Sequence, residues 1–270
     1  MNTILPIPPD RTIKAKVCRS LFGAVSLVNC PYCARKGVVR RDEKFCCPRC
    51  RRAWSLTSLS WMKGMKISWR QFWSLLWTFT KCIPVDQTVA LLKISRPTIY
   101  RWYDLFRRNL PPLEDLRLEG VVQMDEAYFG GRRKGVAVIA AKERDSSKVA
   151  AFVVPASSVQ RTDILPFIRQ FVVPGSKLHT DGALIYKGIG KHWQVDHAYD
   201  VHRKGEFGKT SVIEGFWGSL RTFIRRMYHH VTVAKLPELL REYQCRLMFK
   251  EIFDSPASLL PKLLIQFPFA

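Results

Sequence analysis

Val121-Val122-Gln123-Met124-Asp125-Glu126-Ala127-Tyr128-Phe129-Gly130-Gly131 is a short apolar run that closes on an acid pair and, a few residues later, a double glycine. It predicts a strand over Val121–Met124 with Asp125 at its end and a turn at Gly130-Gly131. Two more strands are expected after it, Gly135–Ala141 and Lys148–Val154, divided by the turn signal Asp145-Ser146-Ser147. Thr162-Asp163 then opens a helical run through Phe171, and Lys177–Thr180 reads as a fourth strand leading into Asp181-Gly182. Ala183–Lys187 reads as a helical turn and Gln194–Val201 as a fifth strand. Ser211–Tyr228 and Ala234–Phe249 read as long helices.

Three strands, a helix, a strand, a helical piece, a strand and a helix make an α/β order. That order matches a ribonuclease H-like mixed sheet with flanking helices, expected over residues 113–270. Within it, Asp125 and Asp181 follow strand-like runs, and Glu214 lies in the helical stretch Ser211-Val-Ile-Glu-Gly-Phe-Trp-Gly-Ser-Leu-Arg221. Two strand-end aspartates and one helical glutamate can converge on a pair of magnesium or manganese ions, which stabilise the attacking and leaving oxygens of an in-line displacement. Glu214 stands beside Ile213, Phe216 and Trp217, a setting in which a bare carboxylate would cost desolvation unless a cation accepted it. Arg221, seven residues on, shares its helical face and is read as a supporting residue. Glu126 is read likewise, because neighbours on a strand point to opposite faces.

The 270 residues carry a formal charge of +22. Residues 1–120 hold 22 Lys/Arg against 8 Asp/Glu, and residues 121–270 hold 22 against 14. Such an excess implies a polyanionic partner, most simply nucleic acid. The first residues show no signal-peptide pattern, and no apolar run is long enough to span a membrane. A reducing, cytoplasmic and nucleoid-associated setting is therefore expected, in which paired cysteines suggest metal more than disulfide.

Cys30-Pro-Tyr-Cys33 and Cys47-Pro-Arg-Cys50 are two C-x-x-C pairs. Each can place two thiolates on one ion, and together they make a closed tetrahedral Cys₄ site for one structural zinc. Cys46 adjoins Cys47 and stands as an alternative ligand at this stage. Residues 1–60 thus read as a basic N-terminal segment with a zinc ribbon. Residues 61–112 read as a helix-turn-helix module. Val85–Leu92 is a short helix, Lys93-Ile94 the turn, and Ser95-Arg96-Pro97 the start of a second helix, whose core stripe is Ile99, Trp102 or Tyr103, and Phe106. Arg96, Thr98, Tyr100 and Arg101 are left to face DNA, since early residues of a recognition helix reach base edges. Arg132, Arg133, Lys134, Lys204, Arg225 and Arg226 are the further basic positions expected to contact DNA. Pro111-Pro112 reads as a linker.

The segments Asp125-Glu-Ala-Tyr128-Phe-Gly130-Gly131, His179-Thr-Asp181-Gly182, His202-Arg-Lys-Gly-Glu206-Phe, Ile213-Glu214-Gly-Phe216-Trp217 and Tyr228-His-His-Val231 resemble those of bacterial insertion-sequence transposases of the DDE type, in the ISXO-like group with an N-terminal zinc ribbon. The resemblance covers nearly the whole chain. It implies a ribonuclease H-like catalytic domain in which Asp125, Asp181 and Glu214 hold two magnesium or manganese ions. It implies binding of terminal inverted repeats, metal-dependent strand cleavage and strand transfer into target DNA, and a dimer or larger assembly on DNA. The alternative from another class is a DNA-binding regulator descended from a transposase, with a zinc ribbon and helix-turn-helix but no catalysis.

Overall fold

The computed structural model describes residues 7–264 except 23–28, 37, 42–43, 59, 114, 131–134, 155, 157, 201–207, 209 and 229–230. Two compact units divide the chain, residues 1–111 with 251–270, and residues 112–250.

The first unit begins with helix α1 (Asp10–Phe22), whose buried Ile13, Val17 and Leu21 recur at helical spacing. Three short strands follow, β1 (Val39–Arg41), β2 (Lys44–Cys46) and β3 (Ala53–Ser55), paired antiparallel in sequence order. Phe45 stacks on Trp54 across β2 and β3, with ring centroids 5.8 Å apart. Helix α2 (Trp69–Thr80) starts on a capping box in which the Ser68 hydroxyl accepts from the Gln71 N–H and the Gln71 side chain accepts from the Ser68 N–H. Helix α3 (Val85–Leu92) ends at Lys93, whose φ of 54° is the left-handed conformation that lets the chain turn sharply into α4 (Arg96–Arg108). Phe72, Phe79, Tyr103 and Phe106 fill the centre, all fully buried. Burial of each such side chain is worth about 1.5–3 kcal/mol.

Helix α8 (Pro256–Leu264) groups with this unit rather than with the sheet that precedes it in sequence. Its apolar face, Leu259, Leu260, Leu263 and Leu264, is buried, and the helix packs on α1 and α2. The two units therefore cut the chain at other places than the three sequence segments 1–60, 61–112 and 113–270. The first two fall in one unit, which also takes the C-terminal end, because α1 and α8 complete the core around α2.

The second unit is a five-stranded mixed sheet in the order β6-β5-β4-β7-β8. Its strands are β4 (Val121–Phe129), β5 (Val136–Glu143), β6 (Val149–Val154), β7 (Lys177–Asp181) and β8 (Asp196–Asp200). β4, β5 and β6 are antiparallel neighbours, and β7 and β8 run parallel to β4. Val122, Met124, Ile139 and Ala141 face the buried Ile164, Phe167 and Ile168 of α5 (Arg161–Phe171). Ala127, Val138 and Ala140 face Ile213, Phe216, Trp217 and Leu220 of α6 (Ser211–Tyr228), and Leu240 and Tyr243 of α7 (Leu236–Met248). Helices on both faces of a mixed sheet in this order make the ribonuclease H-like fold expected from the sequence. Gln244 of α7 accepts from the Ala151 N–H at 2.8 Å and donates to the Ala151 carbonyl at 3.3 Å.

Asp125 is not at a strand end. β4 runs four residues past it to Phe129, because antiparallel pairing with β5 continues to Phe129↔Val136. Parallel pairing with β7 is recorded only as far as Gln123↔His179, so Asp125 lies just past the last paired position of the two central strands.

Candidate active site

In a parallel pair, partnered residues share a face of the sheet. The register Val121↔Lys177 and Gln123↔His179, carried two residues further, aligns Asp125 with Asp181 on the face that α6 covers. Glu214 projects from the first turn of α6 over this face. Asp125 is largely buried, and its indole neighbour Trp217 donates Nε1–H to Oδ2 at 3.0 Å. Burial, then the negative charges of Glu126, Glu214 and Asp181, raise the Asp125 pKa to about 7. Asp181 accepts the Ala183 N–H at 3.0 Å, which fixes the turn after β7.

Glu126 is on the opposite face, with Val122 and Met124. Its carboxylate accepts a hydrogen bond from the hydroxyl of Tyr186, a fully buried residue of the turn beyond Asp181. Burial raises the pKa of Glu126, and the Asp181 charge adds to this against the pull of the Tyr186 hydrogen bond.

Glu214 differs from the sequence expectation. It is exposed, not desolvated, because the buried stripe of α6 runs through Ile213, Phe216, Trp217 and Leu220 and turns Glu214 to the rim. Its neighbours in sequence therefore give no desolvation argument for a bound cation. Arg221 is exposed too, its guanidinium 5.7 Å from the centre of the Phe129 ring. Arg225 and Arg226 are exposed in the last turns of α6. Arg132, Arg133, Lys134 and Lys204, with the His202–Phe207 segment and His229-His230, lie outside the described residues.

Three contributors escaped the sequence reading. Gln123, fully buried two residues before Asp125, accepts the N–H groups of Val212 and Ile213 at 2.7 and 3.1 Å. It thereby satisfies two of the four N–H groups that a helix start leaves open and ties α6, with Glu214, to β4. A polar residue inside an apolar strand was the available signal. Asp200, 1% exposed, is paired with Asp181 across β7 and β8. Tyr186 was hidden in a stretch read only as a helical turn.

The charges that act on Asp125 are all negative. Carboxylate oxygens are hard ligands of the kind magnesium and manganese take, but among the described residues only cysteines gather three or more ligand atoms within 4.8 Å of one another. The cysteines form a tighter set. Cys30, Cys33, Cys47 and Cys50 place their sulfurs within 4.8 Å of one another, with Cys30–Cys50 and Cys33–Cys47 both at 3.6 Å. Each pair sits on the same local turn. The first cysteine donates its N–H to the carbonyl five residues on (Arg35, Arg52), and its carbonyl accepts from the residue four on (Ala34, Arg51). Ala34 and Arg51 take matching left-handed φ values of 55° and 57°. The Cys47 pKa is lowered to about 6, first by the Cys50 N–H. Cys46 is outside the group: it lies within β2, paired with Val39 and Ala53. The four sulfurs fit a zinc ribbon.

Residues 117–247 match the family model of the ISXO2-like transposase domain. The match takes in all five strands of the sheet, α6 and nearly all of α7. No curated protein matches the chain. Similar solved structures include a chain of the simian T-cell lymphotropic virus intasome in complex with the PP2A regulatory subunit B56 gamma. It is 12% identical with a TM-score of 0.37, over 64% of this chain and 67% of that one. Another is the catalytic core domain of BIV integrase, 15% identical with a TM-score of 0.35, over 48% of this chain and 82% of that one. Among the described residues, no helix is long and apolar enough to cross a membrane.

Proposed function

We propose that this protein is a DNA transposase that cuts DNA at the ends of an insertion sequence and joins the freed 3′-hydroxyls to target DNA, with Asp125, Asp181 and Glu214 as its catalytic carboxylates. The observation that carries the reading is the shared face: two aspartates on adjacent parallel strands and a glutamate on the helix above them. Magnesium or manganese, bound as a pair, would supply charge neutralisation for the attacking and leaving oxygens. Trp217 orients Asp125, Ala183 N–H orients Asp181, and Gln123 sets the start of the helix that bears Glu214. Glu126, on the other face and held by Tyr186, supports the strand rather than offering a ligand. Zinc in the Cys₄ site is structural, since four thiolates leave no open position.

DNA is the partner that the charge and the domain imply. α3 and α4 are read as a helix-turn-helix, with Thr98, Tyr100 and Arg101 available on α4 and Arg96 reachable once it leaves Asp86, 2.5 Å away in an exposed ion pair. Such a pair costs little to break. Arg221, Arg225 and Arg226 would contact phosphates beside the acids. Action on two ends requires at least a dimer on DNA.

The test is cleavage and joining of labelled element-end DNA with magnesium or manganese, beside a binding measurement on the same samples. Asp125→Asn, Asp181→Asn and Glu214→Gln should each abolish both reactions and keep binding. Full activity in any of them removes that residue from the site. Binding without metal-dependent cleavage by the wild type would leave the regulator descended from a transposase.

A further inference from the structure

From Lys44 to Val85 the chain has no aspartate or glutamate and eight lysines and arginines. Residues 60–67 form a loop in the middle of this acid-free stretch, and its base is firmly held. Met62 is 1% exposed. The Trp61 ring meets those of Trp102 and Phe106 edge-on at 6.0 and 5.9 Å, and its indole N–H donates to the Leu263 carbonyl at 2.9 Å. Within the loop, Lys63 N–H donates to the Ser60 carbonyl and Met65 N–H to the Met62 carbonyl, both at 3.0 Å. Gly64 turns the tip with a φ of +76° and has open space around it.

Together with α4 this loop encloses a cleft of about 140 Å³. Lys63 and Lys66 line it from the loop, Thr98 and Arg101 from the first turns of α4, and Trp61 and Trp102 from beneath. Lys63, Lys66 and Arg101 are exposed. Among the described residues none of the three forms an ion pair, whereas Arg96 is paired with Asp86.

We propose that the 60–67 loop grips a DNA phosphate backbone alongside α4, with Lys63 and Lys66 as the phosphate contacts. This rests on the reading of α3 and α4 as the DNA-recognition pair and deepens it. Two ammonium groups on an anchored loop lose little freedom when a polyanion arrives, since the backbone that carries them is already ordered. Phosphate contacts position a protein on the duplex without reading sequence, so they complement Arg101 on the adjacent helix face.

The experiment measures binding of the full chain to a fluorescent random-sequence duplex across a salt series. The variants are Lys63→Gln/Lys66→Gln and a control, Arg169→Gln/Lys177→Gln, which removes the same charge from exposed positions on α5 and at the start of β7. Each phosphate contact contributes about 0.9 to the slope of log K against log salt, so the loop variant should lower the slope by about 2 and weaken binding about tenfold at moderate salt. The control should keep the wild-type slope, and thermal melts should coincide for all three proteins. An unchanged slope in the loop variant, or an equal fall in the control, overturns the proposal and leaves the recognition helix standing. Failure of the wild type to bind any duplex overturns both.

Discussion

Trp217 donates its indole N–H to Asp125 across the gap between α6 and β4, at 3.0 Å. The bond occupies one oxygen, Oδ2, of the carboxylate. It also locks the helix that bears Glu214 to the strand that bears Asp125. Trp217→Phe keeps the ring's packing and deletes the donor. Loss of a hydrogen bond to a charged group costs about 1.5–3 kcal/mol. Urea unfolding should show a loss in that range, and strand cleavage should fall while DNA binding holds.

Gln123 makes a second tie to the same helix. Gln123→Met removes the acceptor of two helix-start N–H groups at nearly constant volume, and should cost about 1–3 kcal/mol for each group left buried and unpaired. The loss should appear in unfolding midpoints. Hydrogen exchange of the Val212 and Ile213 amides should quicken above the rest of α6. Equal protection in both proteins would show that the N–H groups find other partners.

The chelated protein should be sensitive to pH. A carboxyl group with its folded pKa raised from 3.8 to about 7 favours folding fully only below its unfolded pKa. That contribution is lost as pH rises from about 4 through 7. With EDTA present, the melting temperature should therefore fall between pH 5 and pH 8, and Asp125→Asn should flatten the profile. Magnesium should restore more stability at pH 8 than at pH 5, since it competes with the proton for the same oxygens.

Zinc retention should separate two adjacent cysteines. Cys47→Ser should lose zinc and unfold the ribbon locally, because Cys47 supplies a thiolate whose sulfur also accepts the Cys50 N–H at 3.5 Å. Cys46→Ser should retain zinc, since Cys46 belongs to the β1–β2–β3 pairing and not to the sulfur cluster. Elemental analysis of both proteins purified under reducing conditions measures this.

The sheet was legible because its strands are apolar runs bounded by Gly130-Gly131 and Asp145-Ser146-Ser147. The two C-x-x-C turns were legible because spacing alone determines which thiolates can meet. What the sequence concealed depends on partners far along the chain. The extension of β4 past Asp125 is set by β5, the exposure of Glu214 by the rotation of α6, and the bond from Tyr186 to Glu126 by a contact sixty residues apart. Helix α1 was obscure for another reason. Its exposed face is basic and its apolar stripe sparse, so its order comes from packing on α2 and α8 more than from its own pattern.

Gln244 has a consequence for how copies of this protein can meet. β6 is an outer strand of the sheet, and an outer strand offers N–H and C=O groups on which a strand from another chain can build. By engaging both backbone groups of Ala151, one side chain from α7 interrupts that row at its middle. A subunit contact along β6 would have to be made by side chains such as the exposed Phe152, and not by extending the sheet from one molecule into the next. That is protection against strand-to-strand aggregation written into a single amide.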